Sequence, residues 1–432
     1  MESPLEVFDF DPFSDDYAKN ATETNKRLRD GPVSYWDHYG GFWCVARHAD
    51  VVDAFKHDGK ELSARHETLD DGLELGGVLM PPSPEHLGFM EHDPPLFHAF
   101  RRVLNPWFSL EAAEARRPRL AALASALLDA RIESGTADML DDLIKPLAVV
   151  TTFELLGLPL DGIERYAMPV QEHGYDAQQD LSEPHAAFEA VKSEIARDID
   201  ARRVRGDAGD GLIGFLMQQT IDDEPIADEL LVDSIFLIVI AGADTVGGAF
   251  SGAVHYLAAH AADRQRLIDD PTLLGSAFDE FVRYETPTTQ NARTALCDFE
   301  LAGQRIRRGN VVYLDLLAAN HDERRFPDPE KIVLERRPNN HVGFGIGIHH
   351  CVGAQLARVM WTVMMQEVLN RIPDWRILEE SPPRAPQRGI SNFYIRMPAA
   401  FSPGTRRPCA ENVVHDLAVA FPSRRWTAVG DA

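Results

Sequence analysis

Residues 341–355 read His-Val-Gly-Phe-Gly-Ile-Gly-Ile-His-His-Cys-Val-Gly-Ala-Gln, a glycine-rich loop that ends just before an apolar segment. Glycines allow positive φ and let the backbone pass close to a flat ligand. A helix predicted from about Gly353 would direct its first N–H groups and its positive dipole end at the sulfur of Cys351, which favours the thiolate. A thiolate is a soft, electron-rich ligand for iron. Taken alone, the pattern also fits a buried structural cysteine beside a tight turn.

The spacing within this loop carries a family resemblance. Its characteristic residues are separated by three positions and then by two each time: Phe344, Gly347, His349, Cys351 and Gly353. Together they resemble the haem-binding loop of the cytochrome P450 superfamily, in which the cysteine is the axial iron ligand. The resemblance implies that Cys351 binds the iron of haem b. It also implies that His349 contacts a haem propionate and that Phe344, Gly347 and Gly353 shape the loop around the cofactor.

A pair of basic residues lies far upstream of the loop. His98 and Arg102 are four residues apart, on one face of a helix predicted to start near Pro95. Read alone, this is a solvated basic face. Partly buried carboxylates, however, need cationic or hydrogen-bonding partners. The resemblance implies that His98 and Arg102 hold one propionate and that Arg293 contacts a propionate as well.

One long helix is predicted over Pro225–His260, and its middle reads Ala241-Gly242-Ala243-Asp244-Thr245. An acid within an apolar stretch is costly unless it is paired or functional. The Thr245 hydroxyl is expected to bond to the carbonyl of Ala241. A packing glycine followed by a polar turn would also explain the pattern. The resemblance implies an acid–alcohol motif beside the cofactor, bordered by Ala241 and Gly242, in which Asp244 supplies protons and Thr245 holds oxygen and its water.

Glu280 and Arg283 are three residues apart on a predicted helix and can pair. Such pairs are common on solvated helices. The resemblance implies a buried structural ion pair, joined by a basic residue from a downstream segment at 326–331. Many family members have arginine there, whereas this chain has Lys331.

The pocket candidates come from several segments. Residues 66–94 are predicted to be irregular, and long irregular segments are uncommon unless they are functional, although a plain connection remains possible. The resemblance implies that this segment contacts substrate and that residues 168–179 form a lid. The candidate substrate-contacting residues are Leu79, Met80, Phe89, Val239, Thr288 and Phe393.

Composition excludes several classes of protein. The chain has 432 residues, with 68 acidic against 43 basic side chains, so non-specific nucleic-acid binding is not expected. Its four cysteines lie far apart, without a C-x-x-C pair, which argues against a zinc or iron–sulfur centre and for a reducing, cytoplasmic location. The N-terminus lacks a basic region followed by an apolar run, and the longest apolar run, Ile235–Ala243, is too short for a bilayer. No membrane anchor is therefore expected.

The predicted fold class is mainly α with a small β-rich subdomain. The resemblance implies the cytochrome P450 fold, a triangular prism with haem between the long central helix and the helix after the cysteine loop. We expect residues 1–401 to form a single domain and residues 402–432 to form a tail of no assigned role. We further expect the protein to be a monomer.

The resemblance further implies a soluble bacterial monooxygenase, typical of secondary metabolism, that inserts one atom of O2 into a small organic substrate. No flavin or iron–sulfur module is visible, so electrons from NAD(P)H would arrive through a ferredoxin and a ferredoxin reductase. The ferredoxin would dock near Arg101, Arg102 and Arg358. Two alternatives remain open: a haem-thiolate enzyme of other chemistry (peroxygenase, coupling, nitration or isomerisation), and a non-catalytic haem- or ligand-binding protein.

Overall fold

The fold was determined as a computed structural model, which describes residues 9–83, 85–167, 182–380, 382–384, 391–392 and 394–424. For residues 164, 182–184, 243 and 244 it describes the backbone alone. The α-helices span Asp15–Asp30, His48–Phe55, Leu96–Leu104, Leu110–Ala115, Arg117–Ile132, Lys145–Leu156, Ile163–Tyr166, Ser182–Arg205, Gly211–Leu216, Asp228–Ala259, Ala261–Asp269, Leu274–Glu285, Leu316–Asn320, Ala354–Arg371 and Glu411–Ala420. Shorter 3-10 segments are Gly88–Glu91, Asn105–Phe108, Leu160–Gly162, Pro271–Leu273 and Gly347–His349, and Met139–Ile144 is a π-helix.

The helix Asp228–Ala259, called the central helix below, organises the larger part of the molecule. At 1.5 Å per residue its 32 residues extend about 48 Å. It packs against the helices Lys145–Leu156, Ser182–Arg205, Leu274–Glu285 and Ala354–Arg371. By length and composition alone it passes as a membrane span, but 62% of its apolar window is buried inside the protein. These contacts make it a core helix of the domain.

The predicted start of the central helix at Pro225 is wrong. Pro225 belongs to the short strand Glu224–Pro225, which pairs with Thr220–Ile221. Proline lacks the N–H that a helix interior requires, and here it ends a hairpin just ahead of the helix. The helix begins at Asp228, three residues beyond the prediction, as commonly happens when a boundary is placed from pattern alone.

The β-rich side is built on a five-stranded sheet. Its strand order is Ser34–Trp36, Phe42–Val45, Val311–Asp315, Gln290–Ala295 and Leu62–Ser63. The first two strands form a hairpin with Ser34 opposite Cys44. A three-stranded sheet contains Arg376–Ile377, Pro398–Ala400 and Thr136–Asp138, and small hairpins are formed by Phe299–Leu301 with Gln304–Ile306 and by His66–Thr68 with Glu74–Gly76. The mainly α architecture with a small β side is therefore confirmed.

The segment 66–94 is more ordered than predicted. It contains the hairpin His66–Thr68 with Glu74–Gly76 and the 3-10 turn Gly88–Glu91, which packs on the central helix. The approach is close because a Cβ on Gly88 would overlap the backbone of Ser234. The prediction of a wholly irregular segment is wrong, since its short strands have too little alternating pattern to be visible in the sequence.

The predicted boundary at residue 401 does not divide the described structure. The helix Glu411–Ala420 lies against Arg117–Ile132, and its residues Val413 and Leu417 are buried in the main hydrophobic cluster. The Arg371 guanidinium also donates to the carbonyl of Thr405 at 3.0 Å. As far as residue 424, the chain beyond Phe401 is therefore part of the same core.

Candidate haem-binding site

The cysteine loop folds back on itself just before the helix Ala354–Arg371. The Cys351 N–H donates to the carbonyl of Phe344 at 2.8 Å. Gly345 and Gly347 adopt φ values of +64° and +72°, which residues with a Cβ rarely reach. The glycines are thus required for the turn that brings Cys351 to the inner surface of the loop.

The sulfur of Cys351 sits in an asymmetric environment. The residue Cys351 is exposed to solvent, and its sulfur lies near the Arg101 charge and the N–H groups of Gly353 and Ala354. Burial raises the pKa of the Cys351 thiol, and the N–H groups of Gly353 and Ala354 together with the Arg101 charge lower it by less. The predicted effect of the helix is confirmed in direction, because its N–H groups lower the pKa of Cys351, but burial raises that pKa by more. A bound metal cation would supply the missing stabilisation, because coordination deprotonates a thiol.

Beside the loop lies a cavity of about 300 Å³. It is lined by Phe97, His98, Arg101, Arg102, Asn105 and Ile348. His98 and Arg102 lie on the helix Leu96–Leu104 and are exposed. Neither makes a hydrogen bond or ion pair with any residue that the structure describes. Two cationic donors thus face open space together, as the i, i+4 spacing predicts.

His349 completes this group from the loop. Its ring centroid lies 4.0 Å from that of Phe97, and neither ring nitrogen has a hydrogen-bond partner in the described part of the chain. Burial and the charges of Arg293, Arg101 and His98 hold the pKa of His349 well below its usual range. Arg101, His98 and the unsatisfied imidazole of His349 therefore converge, and in the described structure no carboxylate pairs with Arg101 or His98. This donor set fits the propionates of a haem.

Arg293 is held by a partner that the sequence does not reveal. It is buried, and its Nε and Nη2 donate to Asp58 Oδ1 and Oδ2 at 2.8 and 3.1 Å. Its Nη1 donates to the carbonyl of Ala292 at 2.7 Å. Burial raises the pKa of Asp58, and Arg293 lowers it by less. Asp58 thus fixes the guanidinium beside His349, and the predicted contact of Arg293 with a propionate stays a prediction.

In the arrangement that the family resemblance implies, the central helix lies on the oxygen side of the cofactor, opposite the cysteine loop. The Thr245 hydroxyl donates to the carbonyl of Ala241 at 2.9 Å, which confirms the predicted bond. Both residues are exposed, although most of this helix is buried. Gly242 lies so close to the helix Lys145–Leu156 that a Cβ there would collide with Thr152 Oγ1. Gly242 therefore has a packing role, and the side chain of Asp244 lies outside the described residues.

The predicted substrate contacts are placed unevenly. Phe89 is buried and stacks on Phe100, with ring centroids 5.4 Å apart. Met80 belongs to the cluster under the β-sheet, around Phe10. Val239 is 1% exposed and lies about 200° around the helix from Ala241, so it points into the core and its predicted contact is not supported.

The remaining candidates differ again. Leu79 and Thr288 are partly buried, and Thr288 forms a single bridge with Ser391. Phe393 and the predicted lid at 168–179 lie outside the described residues.

The predicted structural ion pair is present and fully buried. Arg283 Nε and Nη2 donate to Glu280 Oε2 and Oε1 at 2.8 and 3.0 Å, and both side chains are 0% exposed. The third member is Arg336, whose Nε lies 3.0 and 2.9 Å from the two Glu280 oxygens. Lys331 instead pairs with Asp328 at the surface, and it offers the network its backbone carbonyl alone. The expected position of the basic residue is therefore wrong by five residues.

The chain is similar to one protein family along most of its length. A sequence model described as "Cytochrome P450" matches residues 255–389. The steroid C26-monooxygenase of Mycobacterium tuberculosis is 30% identical over 334 residues, which cover 76% of this chain and 89% of that protein. The mycinamicin IV hydroxylase/epoxidase of Micromonospora griseorubida is 31% identical over 338 residues, covering 78% and 83%. The structure of a mutant of P450 EryK in complex with erythromycin B has a TM-score of 0.79 at 25% identity, covering 91% and 98%.

The fold and the similarity to named monooxygenases together define an oxidoreductase. The chain belongs to the cytochrome P450 family, and it is a monooxygenase with the mainly helical fold of bacterial members. The family implies haem with a thiolate ligand. The sequence-based family assignment and fold class are confirmed.

Proposed function

We propose that Cys351 is the axial ligand of haem b in this monooxygenase. The observation that carries the proposal is the position of the exposed residue Cys351 on the loop beside a cavity whose basic side chains, His98, Arg101 and Arg102, have no carboxylate partner in the described structure. The N–H groups of Gly353 and Ala354 donate to the sulfur and would withdraw part of its charge. Haem supplies the activation of O2 and the transfer of one oxygen atom to the substrate.

His98 and Arg102 would hold one propionate, and His349 with Arg293 would hold the other. The first pair is exposed and has no competing carboxylate in the described structure, so it is available to an incoming anion. The neutral imidazole of His349 can donate one N–H and accept from water or a second donor. Arg293 arrives prepositioned by Asp58, which limits the side-chain entropy lost on binding.

Thr245 is the proposed alcohol of the oxygen-side motif. Its hydroxyl donates to the Ala241 carbonyl and so keeps both lone pairs free to accept a hydrogen bond from water. Because Thr245 is exposed on a mostly buried helix, a water molecule can reach it. Asp244 would deliver protons to that water, and Thr245 would hold the water beside the reacting oxygen.

The proposed electron donor is a small acidic ferredoxin, itself reduced by NAD(P)H through a ferredoxin reductase. The basic side chains nearest the cysteine loop would meet it. Arg101 donates to the carbonyl of His350, next to Cys351, at 2.9 Å. Arg358 lies on the helix that follows the loop, where it pairs with Asp279 at 2.6 Å and remains 30% exposed. Local positive charge of this kind can steer an acidic partner despite the net charge of −25.

The proposed substrate is a small, largely apolar organic molecule of secondary metabolism. Two relatives are named for acting on a steroid and on mycinamicin IV, and a similar structure contains erythromycin B. The chain is further proposed to act as a cytoplasmic monomer.

The ligand assignment is tested by Cys351→Ser with Cys297→Ser as the matched control, since Cys297 is also exposed but lies in the β-rich side. Haem content and the ferrous carbon-monoxide spectrum are measured for each variant. We expect Cys351→Ser to lose the red-shifted Soret band that marks thiolate ligation, and Cys297→Ser to keep it. Retention of that band by Cys351→Ser would refute the assignment, because the thiolate ligand would then have to be a different cysteine.

A further inference from the structure

A group of side chains able to bind a metal ion lies outside the cavity beside the Cys351 loop. His66 on the strand His66–Thr68, His86 in the following loop and Glu91 at the end of the turn Gly88–Glu91 converge on one point. One donor atom from each lies within 4.8 Å of the others. Glu91 Oε2 is 3.4 Å from His66 Nδ1 and 3.9 Å from His86 Nδ1.

Glu91 is a buried carboxylate in need of a cation. Its side chain is 4% exposed, and one backbone N–H, that of Leu87, donates to Oε2 at 2.8 Å. Among the described residues, the cationic side chains within ion-pair distance of it are the imidazoles of His66 and His86. Glu91 Oε1 lies against Gly77, which has φ +74°. A Cβ on Gly77 would collide with this oxygen, so the glycine makes room for the carboxylate. Burying a carboxylate is costly unless it is paired or coordinates a metal.

His66 provides a second indication of a missing ligand. Its Nδ1 atom is buried, and its contact with Glu91 Oε2 at 3.4 Å is an ion-pair contact that lacks hydrogen-bond geometry. Buried polar atoms in native structures rarely go without a well-aligned partner, and an unplaced ion is one of the standard explanations. The His66 nitrogen and the buried carboxylate oxygen point at the same small volume.

We propose that His66, His86 and Glu91 bind a divalent transition metal ion of the Zn²⁺ type. Two imidazoles and a carboxylate suit zinc, with water at the fourth position. Donors around tetrahedral zinc lie about 3.4 Å apart, given bonds of about 2.1 Å. The Glu91–His66 distance of 3.4 Å already has this value, and the other separations, all within 4.8 Å, must close by at most about 1.4 Å. His86 is 51% exposed, so its ring can rotate inward.

A neighbouring group of similar composition does not qualify. Glu85, His185 and Glu189 also bring their donor atoms together. There, however, the Lys192 ammonium lies 3.1 Å from Glu85 Oε2 and 2.9 Å from Asp233 Oδ1. Lys192 therefore already supplies the positive charge that a metal would bring. This difference provides an internal control for the experiment.

The test is isothermal titration calorimetry of ZnCl2 into untagged, chelator-treated holoprotein at about pH 8, since proton competition for the ligands weakens as the pH rises. We expect one ion per chain, and a higher thermal midpoint with zinc, because the ion links the hairpin to the 3-10 turn. His86→Ala and Glu91→Gln should weaken binding by more than about 100-fold, the upper range for losing an outer-shell partner. His86→Ala alters an exposed side chain, so it tests the site even if Glu91→Gln does not fold.

His185→Ala, in the neighbouring group, and His415→Ala, an exposed histidine on the C-terminal helix, should bind zinc like the unmodified protein. Lowering the pH to about 6 should weaken binding, because protons compete for the two histidines and the Glu91 carboxylate raises the pKa of His66. No saturable zinc binding, or equal binding by His86→Ala and the unmodified protein, would overturn the proposal. Loss of binding in His185→Ala alone would overturn it too, by moving the site to the neighbouring group.

Discussion

Replacing Arg336 by alanine tests the most consequential difference between the sequence-based prediction and the structure. The family resemblance points to Lys331 as the third member of the buried ion-pair network, whereas the structure places Arg336 there. The Arg336 guanidinium contacts both oxygens of Glu280 and donates to the carbonyls of Pro327, Asp328 and Lys331. Arg336→Ala removes all of these bonds at once. Lys331→Ala is the matched control.

The expected cost follows from burial. Glu280 is 0% exposed and keeps Arg283 as a partner in the variant, so its charge remains paired. Losing one partner of a buried ion pair costs about 3–5 kcal/mol. With Arg283 still present, we expect about 3 kcal/mol, near the lower end of that range. Lys331 and Asp328 are 72% and 67% exposed, so Lys331→Ala should cost no more than about 0.5 kcal/mol.

The assay is urea unfolding of the holoprotein followed by far-UV circular dichroism, with haem absorbance as a second probe. A double variant with Glu280→Gln completes the design. If Arg336 acts through Glu280, the two changes should be non-additive by at least about 1 kcal/mol, as expected for residues in contact. Equal costs for Lys331→Ala and Arg336→Ala, or full additivity with Glu280→Gln, would refute the assignment.

Two further predictions concern the oxygen side and the β-sheet. Thr245→Ala should divert reducing equivalents into hydrogen peroxide while Thr245→Ser stays coupled; the ratio of product to NAD(P)H consumed measures this, and an unchanged ratio in Thr245→Ala would contradict the proposed role. Asp315 is buried, and burial raises its pKa to about 7. The folded state thus binds more protons than the unfolded state between about pH 4 and 7, and the stability that protonated Asp315 provides is lost as the pH rises through that window. Relative to the unmodified protein, Asp315→Asn should therefore gain about 2–3 kcal/mol between pH 5 and pH 8 in urea unfolding, and a pH-independent difference would count against the raised pKa.

Local features of the site could be predicted from the sequence because short-range geometry fixes them. The Cys351 loop depends on glycines at positive φ and on a helix that starts directly after it, and both are visible in fifteen residues. The same holds for His98 and Arg102, whose spacing puts them on one helical face. The bond from Thr245 to Ala241 is likewise a property of one helical turn.

Long-range partners could not be predicted, because no local rule selects among many similar residues. Asp58 is 235 positions from Arg293, and the sequence offers many other acidic residues that could pair with it. Arg336 is followed directly by a second arginine, Arg337. The sequence has no internal repeat that would show which of the two points into the core. The helix Glu411–Ala420 joined the core for a similar reason: its apolar face is evident only once the surface of Arg117–Ile132 is in place.

The Cys351 thiolate and the cation group support haem more strongly together than either does alone. Among the described residues, no histidine, carboxylate or second cysteine joins Cys351 in a group able to hold an ion. A bare zinc-like ion typically takes three or four protein ligands, so a single sulfur is a poor site for it. The remaining ligands must then come with the metal. The cations around the neighbouring cavity add that the carrier is anionic. An iron porphyrin with two carboxylates meets both conditions, because its ring supplies four nitrogen ligands and its propionates match His98, Arg102 and His349.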